Sequence, residues 1–177
     1  MQVYFMRHGQ TNFNILKLCN DKPSPDVHLT ETGKQQAQVL AEKFKSIDIQ
    51  RIITSELPRT RETANIVNQY HHAPIDSHPG INDIRSGFDG QPVVDYQQAI
   101  AADPLHLSIN HGESLLDHKT RVIAFLHWLQ QQSESSILVV AHEETLRVIA
   151  AYTQQLDDDT MIHLAFDNCE FLTINMY

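Results

Sequence analysis

Three apolar runs stand out along the chain, and two of them end at a histidine. Val3-Tyr4-Phe5-Met6 runs straight into Arg7-His8-Gly9, the pattern of a buried strand emerging into a glycine turn. Ile49 to Thr54 predicts a second strand, and Ile137 to Ala141 a third, wholly apolar one that stops at His142. Runs without polar alternation mark strands covered on both faces, as in parallel sheets. Phe171 to Met176 alternates instead, which predicts an edge strand.

Between these runs the apolar period changes to that of helices. After Thr30, a good N-cap, Ala37, Leu40, Ala41 and Phe44 share one face. Ser55, read as a cap, and Pro58 open a helix reaching about Asn68, with Ala64 and Val67 inward. Ser114 to Gln132 carries Leu115, Val122, Leu126 and Leu129 on one stripe, with Trp128 packed among them and Lys119 and Arg121 facing outward. Glu144 to Tyr152 completes the set. From His71 to Asn110 the pattern is broken by Pro74, Pro79, Gly80, Gly87, Gly90, Pro92 and Pro104, and only Val93 to Ala102 looks helical. That stretch, about 71–110, is expected to be an insertion lying over the sheet as a lid. Its apolar residues Phe88, Val93, Val94, Tyr96 and Leu105 either line a pocket or pack down. With no internal repeat or linker, residues 1–177 read as one α/β domain, a three-layer sandwich with a mostly parallel central sheet and helices on both faces.

Composition narrows the partners. Thirteen Lys+Arg against 22 Asp+Glu give a net charge of −9, and no basic run offsets it, so nucleic acid is not an expected partner. No apolar run approaches the roughly 20 residues that span a bilayer, and no signal-peptide pattern opens the chain, so no membrane association and a cytoplasmic location are expected. Cys19 and Cys169 lie far apart outside any CxxC spacing and read as reduced thiols. His71, His72, Asp76 and His78 are the densest set of metal-type ligands, but the adjacent histidines point apart and two prolines mark a surface connection. No metal or other cofactor is expected. Asp157-Asp158-Asp159 reads as a solvated loop.

The chemistry concentrates at strand ends. In open α/β sheets ligands bind beyond the carboxyl ends of the strands. There the pattern brings His8, His142 and Arg7 together with Arg59, from the turn after the second strand. A strand-end histidine alone is as readily a structural hydrogen-bonder as a reactive group. Two imidazoles with two guanidinium forks instead make an anion pocket in an acidic protein, and the fork geometry matches phosphate oxygens.

At this point the chain resembles the histidine phosphatases, the phosphoglycerate mutase-like superfamily, over nearly its whole length. Arg7-His8-Gly9-Gln10-Thr11-Asn12-Phe13-Asn14 is similar to the opening motif, Leu29 to Ala37 to the first-helix signature, and Ser55 to Ala64 to the second-arginine motif. Gly112-Glu113-Ser114 and Val139-Val140-Ala141-His142 match two further motifs in order. The resemblance implies that His8 takes the phosphoryl group while Arg7, Arg59, Asn14 and His142 hold its oxygens, with no metal. It implies a proton donor in the position of Asp83, although members usually carry glutamate there. Glu143 is a rival, since the acid-phosphatase branch places its acid after the second histidine. Asp83 is favoured because Glu143 can equally serve the helix start. Thr11 is left between phosphate contact and turn, Gln10 is read as a turn residue, and Glu144 as a solvated helix start.

The implied activity is hydrolysis of a small phosphomonoester. A mutase needs extra cations above the pocket, and residues 63–117 contain only Arg85; the family's mutases are also longer. A phosphohistidine protein phosphatase and a silent phosphate-binding regulator remain alternatives, and the sequence does not address oligomeric state.

Overall fold

The computed structural model describes residues 1–176; Tyr177, the last residue of the expected domain, lies outside them. Five strands form one sheet: β1 (Gln2–Arg7), β2 (Arg51–Thr54), β3 (Ile75–Ser77), β4 (Ser136–Ala141) and β5 (Phe171–Asn175), in the order β3-β2-β4-β1-β5. β1, β2 and β3 run parallel to their neighbours through β4, in register Phe5↔Val139 and Ile53↔Val139, while β5 pairs antiparallel with β1 at the edge. Every residue of β4 is buried, which explains its uninterrupted apolar run.

Alternation along β1 divides the core in two. Val3 and Phe5 face one side with Ile137 and Val139, where they meet α5 (Leu115–Leu129) and α6 (Glu143–Gln154). Tyr4 and Met6 face the other with Leu138 and Val140, against α2 (Glu31–Phe44) and α3 (Pro58–Val67). Helices on both faces of a mostly parallel sheet make the three-layer α/β architecture expected.

Four details depart from the sequence reading. A short helix, α1 (Asn12–Leu16), follows the first strand; it is held by a capping box between Thr11 and Asn14 that the apolar pattern cannot signal. The stretch expected to begin the cover first supplies β3, whose three residues between Pro74 and Pro79 are too few to show a period. Only after a 3-10 turn at Pro79–Ile81 does the chain leave the sheet, carrying α4 (Val93–Ile100). Asp157 caps α7 (Asp158–Met161) by accepting from Thr160 N at 2.7 Å, and Asp158 pairs with Lys119, so the aspartates start a helix instead of a loop. Finally, Arg121 does not face solvent: its guanidinium turns back onto residues 79–83. Among the described residues no helix is long and apolar enough to cross a membrane.

Candidate active site

The parallel register delivers the two histidines side by side. Arg7 pairs with Ala141 at the carboxyl ends of β1 and β4, and His8 N donates to Ala141 O at 3.0 Å. The next residues, His8 and His142, therefore meet with ring centroids 5.3 Å apart, both buried. The turn after His8 is clamped from behind. A Cβ at Gly9 would lie 2.6 Å from Gly33 O, and one at Gly33 only 2.1 Å from Gln10 O. The glycine after His8 thus serves close packing on the first turn of α2, not approach of the backbone to a ligand. Gln10, as expected, belongs to the turn: its side chain accepts from Thr30 Oγ1 at 2.9 Å.

Hydrogen bonds fix both tautomers. His8 Nδ1 lies 2.7 Å from Gly9 O, an acceptor only, so it carries the proton. Its Nε2 then presents a lone pair, into which Arg59 Nε donates at 3.1 Å. Arg59 Nη2 likewise donates to His142 Nδ1 at 3.1 Å, which puts the proton of His142 on Nε2, 2.9 Å from Ser55 Oγ. Ser55 passes its own proton to Thr60 Oγ1 at 2.9 Å. Ser55 does accept from Leu57 N as a capping residue would, but it also orients His142, a role its place before a helix does not disclose. Burial, then the Arg59 charge, hold both imidazoles well below their ordinary 6.5, so both are neutral at pH 7.

Arg59, at the start of α3 and only 4% exposed, touches every part of the site. Besides the two imidazoles it reaches Asn20 O at 3.0 Å and Asn20 Oδ1, and its Nη2 contacts Asp83 Oδ2 at 2.7 Å. Asp83 is also 3.6 Å from His142 Nδ1. Burial and the nearby Glu144 carboxylate push Asp83 up to about 7, against the pull of Arg59. Arg7 Nη1 binds Glu143 Oε2 at 2.9 Å and Phe166 O, while its Nε is buried with no partner among the described residues. The other Glu143 oxygen accepts from Arg147 Nη2 at 2.7 Å, so neither is open to a ligand.

Thr11 and Asn14 sit at the near wall. Thr11 is buried and its hydroxyl accepts from Asn14 N (3.1 Å) as a cap while the residue also lines the cavity, and Asn14 Oδ1 accepts from Thr11 N (2.9 Å), which leaves the amide NH2 on a residue that lines the cavity too. All eight sequence-predicted residues, Arg7, His8, Thr11, Asn14, Arg59, Asp83, His142 and Glu143, line one cavity of about 680 Å³. Asn20, Glu144 and Arg147 line it too and were not anticipated. Asn20 lies in an irregular loop without a motif. Arg147 had a readable signal, since it falls one helical turn after Glu143. Glu144, expected to be solvated, contributes to the wall, where burial works against its charge but Arg147 and a backbone amide outweigh that and lower its pKa. The arrangement can surround a tetrahedral anion with two guanidinium groups, two neutral imidazoles and an amide.

Comparisons with known proteins agree with this geometry. The uncharacterized phosphatase PhoE of Bacillus subtilis is 27% identical over 174 residues, spanning 96% of this chain and 88% of its own. A protein named "Probable phosphoglycerate mutase GpmB" in Erwinia tasmaniensis is 26% identical over 184 residues, with 99% and 85% covered. The crystal structure of the alpha-ribazole phosphatase from Shigella flexneri superposes with a TM-score of 0.89 at 26% identity, covering 99% of this chain and 90% of that one. The family model of the histidine phosphatase superfamily (branch 1) matches residues 3–177, and the chain belongs to that superfamily.

Proposed function

We propose that the chain hydrolyses a small phosphomonoester through a phosphohistidine formed on His8. The observation that carries this reading is the His8 hydrogen-bond pattern: Nδ1–H is committed to Gly9 O at 2.7 Å, so Nε2 is the basic nitrogen and faces the guanidinium of Arg59. Burial keeps the ring neutral, as a nucleophile must be.

In the first step Nε2 of His8 attacks phosphorus, the P–O bond to the leaving group breaks, and the Asp83 carboxyl gives its proton to the departing oxygen. In the second, water attacks phosphorus, its proton returns to the Asp83 carboxylate, and the P–N bond breaks to release phosphate. Charge on the transferring oxygens is met by Arg7, Arg59 and Asn14, and by His142 once the arriving phosphoryl charge protonates Nδ1, since the neutral ring has its one N–H on Ser55; loss of one such donor typically costs about 3–4 kcal/mol of barrier. Asp83 is favoured over Glu143 as proton donor because both Glu143 oxygens are engaged by arginines. Its raised pKa, near 7, suits a group that must give and take a proton at neutral pH. Two guanidinium groups supply the cationic charge, so the reaction runs without a metal.

The lining favours hydrolysis over mutase chemistry. Arg7, Arg59 and Arg147 each already face a carboxylate, and Asp21 and Glu144 add further negative charge. A substrate bearing a carboxylate beside its phosphate finds no spare arginine, and of the cations lining the cavity only the exposed Lys17 is without a carboxylate partner among the described residues. Phe13, Leu16, Val27, Val93 and Val94 give the outer wall an apolar part, so a neutral leaving group fits it.

The test is rapid quench with a radiolabelled phosphomonoester and chelator present. Wild type is expected to form an acid-labile, base-stable phosphoprotein and to turn over, and His8→Ala to do neither. Turnover surviving in His8→Ala, or lost to chelator, overturns the proposal.

A further inference from the structure

Asp83 is carried by a segment that holds little structure of its own. Pro79–Ile81 form a single 3-10 turn and residues 82–85 have no regular pairing, so something outside must fix the carboxyl in the cavity. Beside the paired bonds of Asn82 with Glu56, Arg121 on α5 does this with one guanidinium. Its Nη1 donates to the carbonyls of Pro79 (3.1 Å), Gly80 (3.1 Å) and Asn82 (3.0 Å), and its Nη2 to the carbonyl of Asp83 itself (3.3 Å).

The guanidinium is in turn oriented by Glu113, which is nine-tenths or more buried. Glu113 pairs with Arg121 Nη2 and receives Arg121 Nε at 3.4 Å, and it accepts from Arg85 N at 3.1 Å, two residues after Asp83. The same carboxylate therefore ties both the arginine and the far end of the segment. Burial opposes charge on Glu113, but its bonds to His118 and Arg121 outweigh that and bring its pKa down to about 2, so the pair is ionic at neutral pH. A lysine cannot reproduce the arrangement, because it lacks the planar fork and has three donors where Arg121 uses five.

We infer that Arg121, oriented by Glu113, is a positioning residue for the proton donor: it grips the carbonyls of residues 79–83 so that the Asp83 carboxyl stands over His142 and Arg59. This rests on Asp83 being the acid of the proposed reaction. Arg121 does not itself line the cavity, so it acts through the placement of Asp83, and in the first step that means through proton donation. Esters with poor leaving groups need that proton, whereas a dinitrophenolate leaves without it.

The experiment compares kcat/KM, which reports only the steps up to departure of the leaving group, for an alkyl phosphate and for 2,4-dinitrophenyl phosphate in wild type, Asp83→Asn, Arg121→Ala, Arg121→Lys and Glu113→Gln. Asp83→Asn is expected to lose about 10²- to 10⁴-fold on the alkyl ester, the usual worth of general acid catalysis. Arg121→Ala is expected to lose about 10²-fold in kcat/KM on the alkyl ester, the cost of a misplacement near 1 Å, and under threefold in kcat/KM on the dinitrophenyl ester. Glu113→Gln follows in the same direction, Arg121→Lys retains part, and millimolar guanidinium restores Arg121→Ala on the alkyl ester. Equal losses on both esters in the Arg121 and Glu113 variants, or none, overturn the inference; should Arg121→Ala not fold, Arg121→Lys and Glu113→Gln decide it alone. If Asp83→Asn itself loses equally on both esters, the assignment of the acid fails and not merely its positioning.

Discussion

The sharpest consequence of the site is a pH profile that inverts with the leaving group. Asp83 is pushed up to about 7 by burial and by Glu144, against Arg59. Donation needs the protonated carboxyl, so for an alkyl phosphate, where formation of phosphohistidine limits, kcat/KM, which reports the free enzyme, falls as pH rises through that value. With a midpoint near 7, about a tenth of Asp83 is protonated at pH 8 and about a hundredth at pH 9, so the loss approaches tenfold per unit. His8 adds no acid limb in this range, because burial holds it neutral below its ordinary 6.5.

For 2,4-dinitrophenyl phosphate the first step needs no proton and hydrolysis of phosphohistidine limits. That step uses Asp83 as carboxylate, so kcat should rise through the same pH. Glu144→Gln removes a like charge that helps raise Asp83; at an effective dielectric near 20 an interaction of this kind is on the order of 1 kcal/mol, or roughly one pH unit. Both limbs should then move to lower pH together. Steady-state kcat/KM for the alkyl ester and kcat for the dinitrophenyl ester between pH 5 and 9, in wild type and Glu144→Gln, are the assay. Parallel limbs for the two esters, or limbs that ignore Glu144, refute the reasoning.

Further outcomes follow from single contacts. Gly33→Ala drives a methyl into Gln10 O and should destabilise by about 1–3 kcal/mol while lowering kcat through displacement of His8, read by thermal melting and turnover. Ser55→Ala strips the acceptor from a buried His142 Nε2–H, expected to cost about 1–3 kcal/mol and to weaken inhibition by vanadate, measured by denaturant unfolding and inhibition constants. Phosphate binding near pH 7.5 should take up a proton, since drawing Arg59 toward the anion raises Asp83; calorimetry in buffers of different ionisation enthalpy reads this as a buffer-dependent heat.

Much of this site was legible because strand ends are. The apolar runs ending at His8 and His142 located two imidazoles on neighbouring strands, and parallel pairing of β1 with β4 does the rest. Arg59 followed from its place just after a strand and a helix-opening proline. What stayed hidden lies where side chains act on irregular backbone. β3 has three residues and Asn20 sits in a loop, so neither shows a period. Arg121 carries the wrong expectation for a physical reason: on a helix stripe a guanidinium reads as solvated, yet its long stem lets the charged end fold back over the rim to reach buried carbonyls. Glu144 misled similarly, since a helix start is an ordinary place for a carboxylate and only the tertiary fold turns that start into a cavity wall.

Arg59 shows why the proton donor and the anion site are one device on the proposed reading. Without an anion, one guanidinium donates to His8 Nε2, His142 Nδ1, Asn20 and the Asp83 carboxylate, satisfying groups whose burial would otherwise be costly. A phosphoryl group that engages the Nε–Nη2 edge of Arg59 takes donors from those partners. Releasing His8 Nε2 exposes the lone pair that attacks. Releasing Asp83 weakens the first of the influences that lower its pKa and places a dianion beside it, so the carboxyl is driven to hold a proton as the ester that needs it arrives. A glutamate would reach the same point with one more rotatable bond; the shorter Asp83 depends instead on its backbone being held, and that backbone is what Arg121 grips.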